Sequence, residues 1–275
     1  MTALPGPGIY PDIPNAVYHR EWVHAESKSN LWPLLDCPAR YRWIKDQPPA
    51  EPTPAMILGS ATHTLVYEPE KFDAEFAVSP DFNLRTNAGK ADAADFAARN
   101  AGKQILRAED AEIAGDMAAV VRSNAAAMRE IEGCRFENSI LWRDAETGIL
   151  CKCRPDGWRP GVALNDLKTT KSLDGFHWDA DSFGYYFQAA FYRIGVHAAT
   201  GEWLPFRFIA VEKEPPYLVR IFEPSDNTLH LAGMVVRDTM RLLARCRDRD
   251  DWPGLDTLGP AILDPERLKG VREWK

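Results

Sequence analysis

The sequence predicts an α/β (α+β) protein in which a mixed β-sheet is flanked by helices and carries an α-helical N-terminal elaboration. Three observations predict it. Short apolar runs cluster after Cys134 as SILWRD, ILCKCRP and VALNDLK, parted by the turn sequences AETG and DGWRPG. Two more, RFIAVEK and YLVRIFEP, are separated by Pro-Pro, and stretches of helical periodicity lie on both sides of the strands. The 275 residues, 45% apolar and 11% aromatic, suffice for a large core.

In chain order, GPGIYPDIP is punctuated by proline and glycine and predicts an extended arm. Ser27-Lys28-Ser29 precedes Leu31, Leu34, Leu35, Tyr41 and Ile44, which predicts a capped helix interrupted at Pro38. The loop QPPAEPTP ends that unit. Residues 56–67 carry apolar side chains at 57, 58, 61, 65 and 66, an amphipathic helix that contains His63. Alanine-rich stretches at 89–101 and 109–131 predict two further helices. Residues 139–168 read as a three-stranded meander whose middle run ends at Asp156 and whose third ends at Asp166 to Lys168. A helix over 182–199 buries Phe183, Phe187, Ala190, Phe191 and Ile194, and 227–247 form a long final helix. His177, within the acidic run 174–181, reads as a solvated loop residue, and Trp142, Trp158 and Phe191 read as core.

Forty acidic against 33 basic residues leave a formal charge of −7, so the surface as a whole offers no field that attracts nucleic acid. Two stretches differ. Residues 151–172 hold Lys152, Arg154, Arg159, Lys168 and Lys171 against Asp156 and Asp166, and 85–107 hold five basic residues against Asp92 and Asp95, so each sums to +3. These predict a confined, channel-like basic surface and salt-sensitive phosphate binding. No apolar run reaches the roughly 18 residues of a membrane span, and the N-terminus has no signal-peptide pattern, which predicts a cytosolic (cytoplasmic) protein without a membrane partner. The five cysteines, Cys37, Cys134, Cys151, Cys153 and Cys246, are odd in number and scattered, which predicts reduced thiols. Cys151-x-Cys153 on a strand points both side chains to one face, as small packing residues unless two further soft ligands come near.

The chemistry concentrates at Arg154-Pro155-Asp156-Gly157 and, ten residues after that aspartate, Asp166-Leu167-Lys168-Thr169. Two carboxylates at the ends of adjacent strands can converge on one hard divalent cation. In Asp-x-Lys both side chains leave one face of a strand, so the carboxylate can hold the metal while the ammonium steadies a phosphate or positions water. That suits phosphodiester hydrolysis. An isolated Asp-x-Lys also describes a salt-bridged surface strand. The following helix adds Gln188 and Tyr192, four apart on one helical face.

The order PDG, NDLKTT, YYFQAAFYRIG resembles the PD-(D/E)XK nuclease superfamily, in its RecB-like branch with a Gln-x-x-x-Tyr helix. Residues 11–18, Ser27 to Leu31, Cys37-Pro38-Ala39, Gly59-Ser60-Ala61-Thr62-His63 and Leu84-Arg85-Thr86-Asn87-x-Gly89-Lys90 resemble the RecE-type exonuclease VIII domain of phages and prophages, over about residues 8–250. The resemblance implies a single PD-(D/E)XK exonuclease domain over 1–275, with a helical N-terminal part (1–133), a catalytic core (134–250) and a C-terminal tail (251–275). It implies Mg²⁺, or Mn²⁺, held by His63, Asp156, Asp166 and the main-chain carbonyl of Leu167, with Glu137 as a further acidic candidate. Lys168 would be the catalytic lysine, and Gln188 and Tyr192 would contact the DNA backbone or brace that lysine. Cys37 resembles the first cysteine of iron-sulfur members, but only Cys246 lies near the C-terminus where those have three more, so no iron-sulfur cluster is expected. The implied activity is exonucleolytic digestion of linear double-stranded DNA ends, 5′ to 3′, leaving single strands for recombination by strand annealing in the bacterial host cytoplasm. The alternatives are an endonuclease of the same superfamily and a non-catalytic DNA-binding module. A ring-shaped homo-oligomer, trimer or tetramer, and a single-strand annealing protein as partner follow from the same resemblance. The tail, with Trp252 and Trp274, reads as a docking segment or a lid over the core.

Overall fold

The structure, a computed structural model, describes residues 4–48 and 50–255. Its elements in chain order are β1 (Gly8–Tyr10), α1 (Lys28–Leu31), α2 (Pro38–Asp46), α3 (Pro54–Tyr67), α4 (Phe72–Glu75), β2 (Phe76–Ser79), α5 (Asn87–Arg99), β3 (Gln104–Arg107), α6 (Ala108–Ser123) and α7 (Ala125–Ile131). There follow β4 (Arg135–Phe136), β5 (Ser139–Arg143), β6 (Leu150–Cys153), β7 (Gly157–Arg159), β8 (Ala163–Thr170), α8 (Phe176–Ser182), α9 (Tyr185–Thr200), β9 (Phe206–Glu212), β10 (Val219–Phe222) and α10 (Asp226–Arg249).

Side-chain caps start the helices where the sequence places Ser, Thr and Asn. Ser27 accepts from the Asn30 amide, Thr53 from Met56, Thr86 from Gly89 and Ser225 from Thr228. Three boundaries differ from expectation. Pro38 opens α2 at its first turn, where a missing N–H costs nothing, so it starts a helix instead of interrupting one. The stretch 109–131 divides at Asn124, whose side chain caps α7 by accepting from Ala126 and Ala127. The helix expected over 182–199 divides at Gly184, which is left-handed (φ 65°), and α8 before it contains the exposed His177 that was expected in a loop.

The mixed sheet is five-stranded, ordered β10-β9-β8-β7-β4, with β8 and β9 parallel and the other pairs antiparallel. The meander does not stay within it. The N-terminal arm supplies β1 to a separate sheet, β1-β5-β6, and β2 pairs parallel with β3 in a third. Phe136 pairs with Gly157 in the first sheet and Ile140 with Cys153 in the second, so one bent hairpin runs through both. Its two strands change sheets at Glu137-Asn138 and at Arg154-Pro155-Asp156. Pro155 has no N–H to extend a ladder, and Glu137 is left-handed (φ 52°), so the pairing breaks there. DGWRPG, expected as a turn, contributes β7 after the second break.

Alternation along β9 separates two cores. Phe206, Phe208 and Ala210 pack with Phe187 and Phe191 of α9 and Met240 and Leu243 of α10, whereas Ile209 and Val211 pack with Met117, Val121 and Ile131 of α6 and α7. Covered on both faces, β8 is buried almost without interruption, with Leu164, Asn165, Asp166 and Leu167 at 0, 1, 1 and 7% exposure. Trp142, Trp158 and Phe191 are core residues as expected. Cys151 and Cys153 are buried free thiols that pack in the same core. Within the tail, Trp252 stacks on Tyr41, with centroids 5.6 Å apart; Trp274 lies outside the described residues. Among the described residues, no helix is long and apolar enough to cross a membrane.

Candidate active site

The two sheet crossings place Glu137 and Asp156 side by side, and the Glu137 amide still reaches the Asp156 carbonyl at 3.4 Å. Asp156 Oδ2 accepts from the Leu167 amide at 2.8 Å, which ties the crossing to β8. Gly157 follows because the chain passes so close to β8 that a Cβ there would lie 2.4 Å from Asn165 Oδ1. That asparagine also anchors the helical N-terminal part. Its Oδ1 accepts from the Tyr67 hydroxyl at 2.8 Å and its Nδ2 donates to the Glu130 carbonyl. Tyr67 fixes the end of α3, and His63, one turn earlier, reaches the carboxylates.

His63 Nε2 lies 3.3 Å from Glu137 Oε1 and 3.3 Å from Asp156 Oδ2. It is buried and aligned for a hydrogen bond with neither. The ligand atoms of His63, Glu137 and Asp156 all lie within 4.8 Å of one another. Asp166 faces the adjoining position on β8. Its Oδ1 accepts from Gln188 Nε2 at 2.5 Å, and its Oδ2, otherwise without a hydrogen bond, forms an ion pair with Lys168. The Lys168 ammonium also stands over the Tyr185 ring, 4.8 Å from its centroid. Tyr192 lines the same cleft, which measures about 590 Å³, and packs edge-on against Phe206. Gln188 therefore braces Asp166, and Tyr185 is the ring beside the lysine, where Tyr192 was expected to act.

Burial sets the electrostatics of the site, raising two of its three carboxylates and leaving the third low. Burial, with Asp156 nearby, pushes Asp166 up to about 6. Burial likewise raises Glu137 to about 7, against the lowering effect of His63 and with Asp156 adding to the rise. Burial opposes charge on His63, but Asp156 and Glu137 outweigh it and hold the imidazole up at about 9. Asp156 is lowered, because His63, Lys168 and the Leu167 amide overcome its burial. An imidazole nitrogen 3.3 Å from each of two carboxylates, aligned for a hydrogen bond with neither, fits a divalent cation with oxygen and nitrogen ligands. Asp166 is held by Lys168 and Gln188 at the edge of that group.

Sequence reasoning missed the support behind Glu137. Arg154 is buried, lies 3.6 Å from Glu137 Oε2, and donates to Ser139 Oγ, Asn15 Oδ1 and the Ile13 carbonyl. Its guanidinium also covers the Tyr18 ring at 4.2 Å. The arginine before Pro-Asp is the available signal, although its charge alone points to solvent and phosphate. Part of the basic charge of these stretches turns inward or is paired, while Arg85, Lys90 and Lys171 stay exposed. Lys152 donates to the Tyr18 carbonyl inside the protein, Arg159 holds the carbonyls of Arg129 and Glu132, and Arg99 and Arg107 pair with Asp95 and Asp110. Charge summed along a chain does not report direction.

A family model described as a PDDEXK-like domain of unknown function (DUF3799) matches residues 27–256. The chain belongs to this PDDEXK-like family. Pro155-Asp156 and Asp166-Leu167-Lys168, within the matched range, read as the P-D and D-x-K of that description. The PDDEXK-like fold is also that of a solved structure, a provisionally assigned exonuclease from Eubacterium rectale, at 18% identity and a TM-score of 0.63, covering 92% of this chain and 95% of that one. An alkaline exonuclease from Laribacter hongkongensis is matched at 16% identity over 66% of this chain and 97% of that one, and its TM-score of 0.27 adds nothing to the assignment. No curated protein matches the sequence significantly.

Proposed function

We propose that this PDDEXK-like protein is a divalent-metal-dependent deoxyribonuclease of the RecE type, an exonuclease that digests linear duplex DNA from its ends, 5′ to 3′. The observation that carries the reading is the meeting of His63, Glu137 and Asp156 beside the Asp166–Lys168 pair. The exonuclease assignment of the Eubacterium rectale neighbour and the motif order support it; the direction rests on the resemblance alone.

In this reading His63, Glu137, Asp156, Asp166 and the Leu167 carbonyl hold Mg²⁺ or Mn²⁺. The cation supplies Lewis acidity toward phosphate oxygens and lowers the pKa of water. Lys168 places its ammonium against the charge that develops on the phosphate, or orients the attacking water, while Asp166 keeps the ammonium charged and in place. Gln188 fixes the rotamer of Asp166, and Arg154 fixes Glu137. Few exposed base-reading groups are needed, because backbone contacts carry no sequence information. A ring-shaped trimer or tetramer and an annealing partner for the single-stranded product belong to the same proposal.

The test incubates pure protein and MgCl₂ with linear and covalently closed duplex, labelled at one end at a time. Digestion of linear duplex alone, released from the 5′ label first, is expected. Lys168→Ala should lower the rate by about 100-fold or more while circular dichroism stays native. Cleavage of closed circles would identify an endonuclease instead, and digestion of neither substrate would leave a binding module.

A further inference from the structure

A second cavity, of about 300 Å³, opens between α9 and α10. It lies on a different face of α9 from the metal cluster. Tyr185, Gln188 and Tyr192 follow one helical spacing toward the cleft, while Ala190, Arg193 and Ile194 follow another toward this cavity. On α10 the lining residues Asp226, His230, Gly233 and Arg237 recur every three or four positions and form one stripe. Gly233 leaves the middle of that stripe empty, since a Cβ there would meet nothing within 4 Å.

The basic side chains facing this space are largely uncommitted among the described residues. Arg193 donates Nε to the Leu204 carbonyl at 2.6 Å, which fixes its side chain and leaves its two terminal nitrogens without a partner among the described residues. Burial lowers the Arg193 guanidinium, and Asp226 is the one carboxylate among the described residues that acts on it. Arg237 and His230 make no hydrogen bond or ion pair among the described residues; Arg237 acts at longer range on Glu146, whose two oxygens are held by Arg241. Trp203 completes the wall. His197 stacks on it with centroids 4.2 Å apart, Arg193 stands 5.5 Å from its centroid, and the indole is still 56% exposed.

We propose that this cavity binds one nucleoside monophosphate unit, its phosphate between Arg193 and Arg237 and its base against Trp203. In a chain of net charge −7, two arginines against a single aspartate in the lining select an anion, with the His230 imidazole as a further hydrogen-bonding group. The half-exposed indole, seated on His197, adds a flat apolar surface that inorganic phosphate or a simple carboxylate would not use. The same unit is available from a free mononucleotide or from a link of single-stranded nucleic acid. The inference goes beyond the nuclease reading and does not depend on it, because binding is measured without cleavage.

The test is titration of the full chain with dAMP by calorimetry, and with a fluorescein-labelled oligothymidylate by anisotropy, both in EDTA. Arg237→Gln removes a cation that makes no internal bond, and Gly233→Leu fills the open stripe; each should weaken dAMP binding about tenfold. Trp203→Ala should bring dAMP down to the affinity of inorganic phosphate. Oligonucleotide affinity above that of dAMP, with a salt slope reduced by about one in Arg237→Gln, identifies a strand as the natural ligand, and equal affinities identify the mononucleotide. Three results overturn the proposal: dAMP binding no tighter than inorganic phosphate in the native protein, dAMP affinity unchanged in both Arg237→Gln and Gly233→Leu, or no binding of dAMP or oligonucleotide while an acidic peptide binds.

Discussion

His63 Nε2 stands 3.3 Å from Asp156 Oδ2 and 3.3 Å from Glu137 Oε1, an ion-pair position with no aligned hydrogen bond among the described residues. The helix that carries it belongs to the N-terminal part, and the aspartate sits where the hairpin changes sheets, so the pair closes the site between two parts of the chain. An imidazole held there for packing alone would use its nitrogen in a hydrogen bond.

His63→Gln should therefore lower Mn²⁺ affinity by at least about tenfold, read by calorimetry, because a nitrogen ligand is lost while the volume is nearly kept. Metal affinity equal to that of the native protein would show that the histidine has only a structural part.

The metal-free protein should lose stability as pH rises from about 4 to 9. Asp166, Glu137 and His63 are raised to about 6, 7 and 9, so the native state binds more protons than the unfolded chain across that window. Each contribution is fully present below the group's unfolded value and fades as pH passes the folded one. Asp156 has the opposite sign, its contribution lying above its unfolded value of 3.8 and fading as pH falls. A divalent cation needs the deprotonated acids and the neutral imidazole, so it should offset the loss. Melting temperatures with and without MnCl₂ should diverge from pH 5.5 to pH 8; a gap that narrows with pH would contradict the assigned ligands.

What could be read from sequence was what lies close along the chain. Asp166 and Lys168 share a strand face by spacing alone, and Pro155-Asp156 ends a neighbouring strand. Nothing in spacing brings residue 63 to residue 156, which only motif order suggests, or Gln188 to Asp166, since the resemblance puts Gln188 against the DNA backbone or the lysine. The sheet change was illegible because DGWRPG has the residues of a turn, while β7 forms there through pairing with β4 and β8. Arg154 misleads for a related reason. Its charge looked available to phosphate, yet its guanidinium is enclosed by Ile13, Asn15, Tyr18 and Ser139, contacts that only tertiary structure creates.

Arg154→Met should destabilise the protein by about 3 kcal/mol, because it leaves the partly buried Glu137 carboxylate and three acceptors without their donor. Arg154→Lys should recover less than half of that, since a single ammonium cannot reproduce the fork. Urea unfolding checks both. Metal affinity should fall in both variants as Glu137 loses its hold, and unchanged stability in Arg154→Met would refute the supporting role.

Gly184 separates α8 from α9 and sets where Gln188 enters the site. Its φ of 65° disfavours any side chain, and a Cβ would lie 2.5 Å from the Trp32 ring, which itself packs on Phe187. Gly184→Ala should cost about 2–3 kcal/mol, combining backbone strain of about 1 kcal/mol with the clash. The two parts separate in a double-mutant cycle with Trp32→Ala. Deleting the ring removes the clash and leaves the backbone cost, so the alanine should cost only about 1 kcal/mol in that background. Because the strained segment leads directly into the turn that carries Tyr185 and Gln188, the single variant should also lose nuclease rate more than the double variant. Equal costs of the alanine in both backgrounds would place the whole effect in the backbone and remove Trp32 from the account.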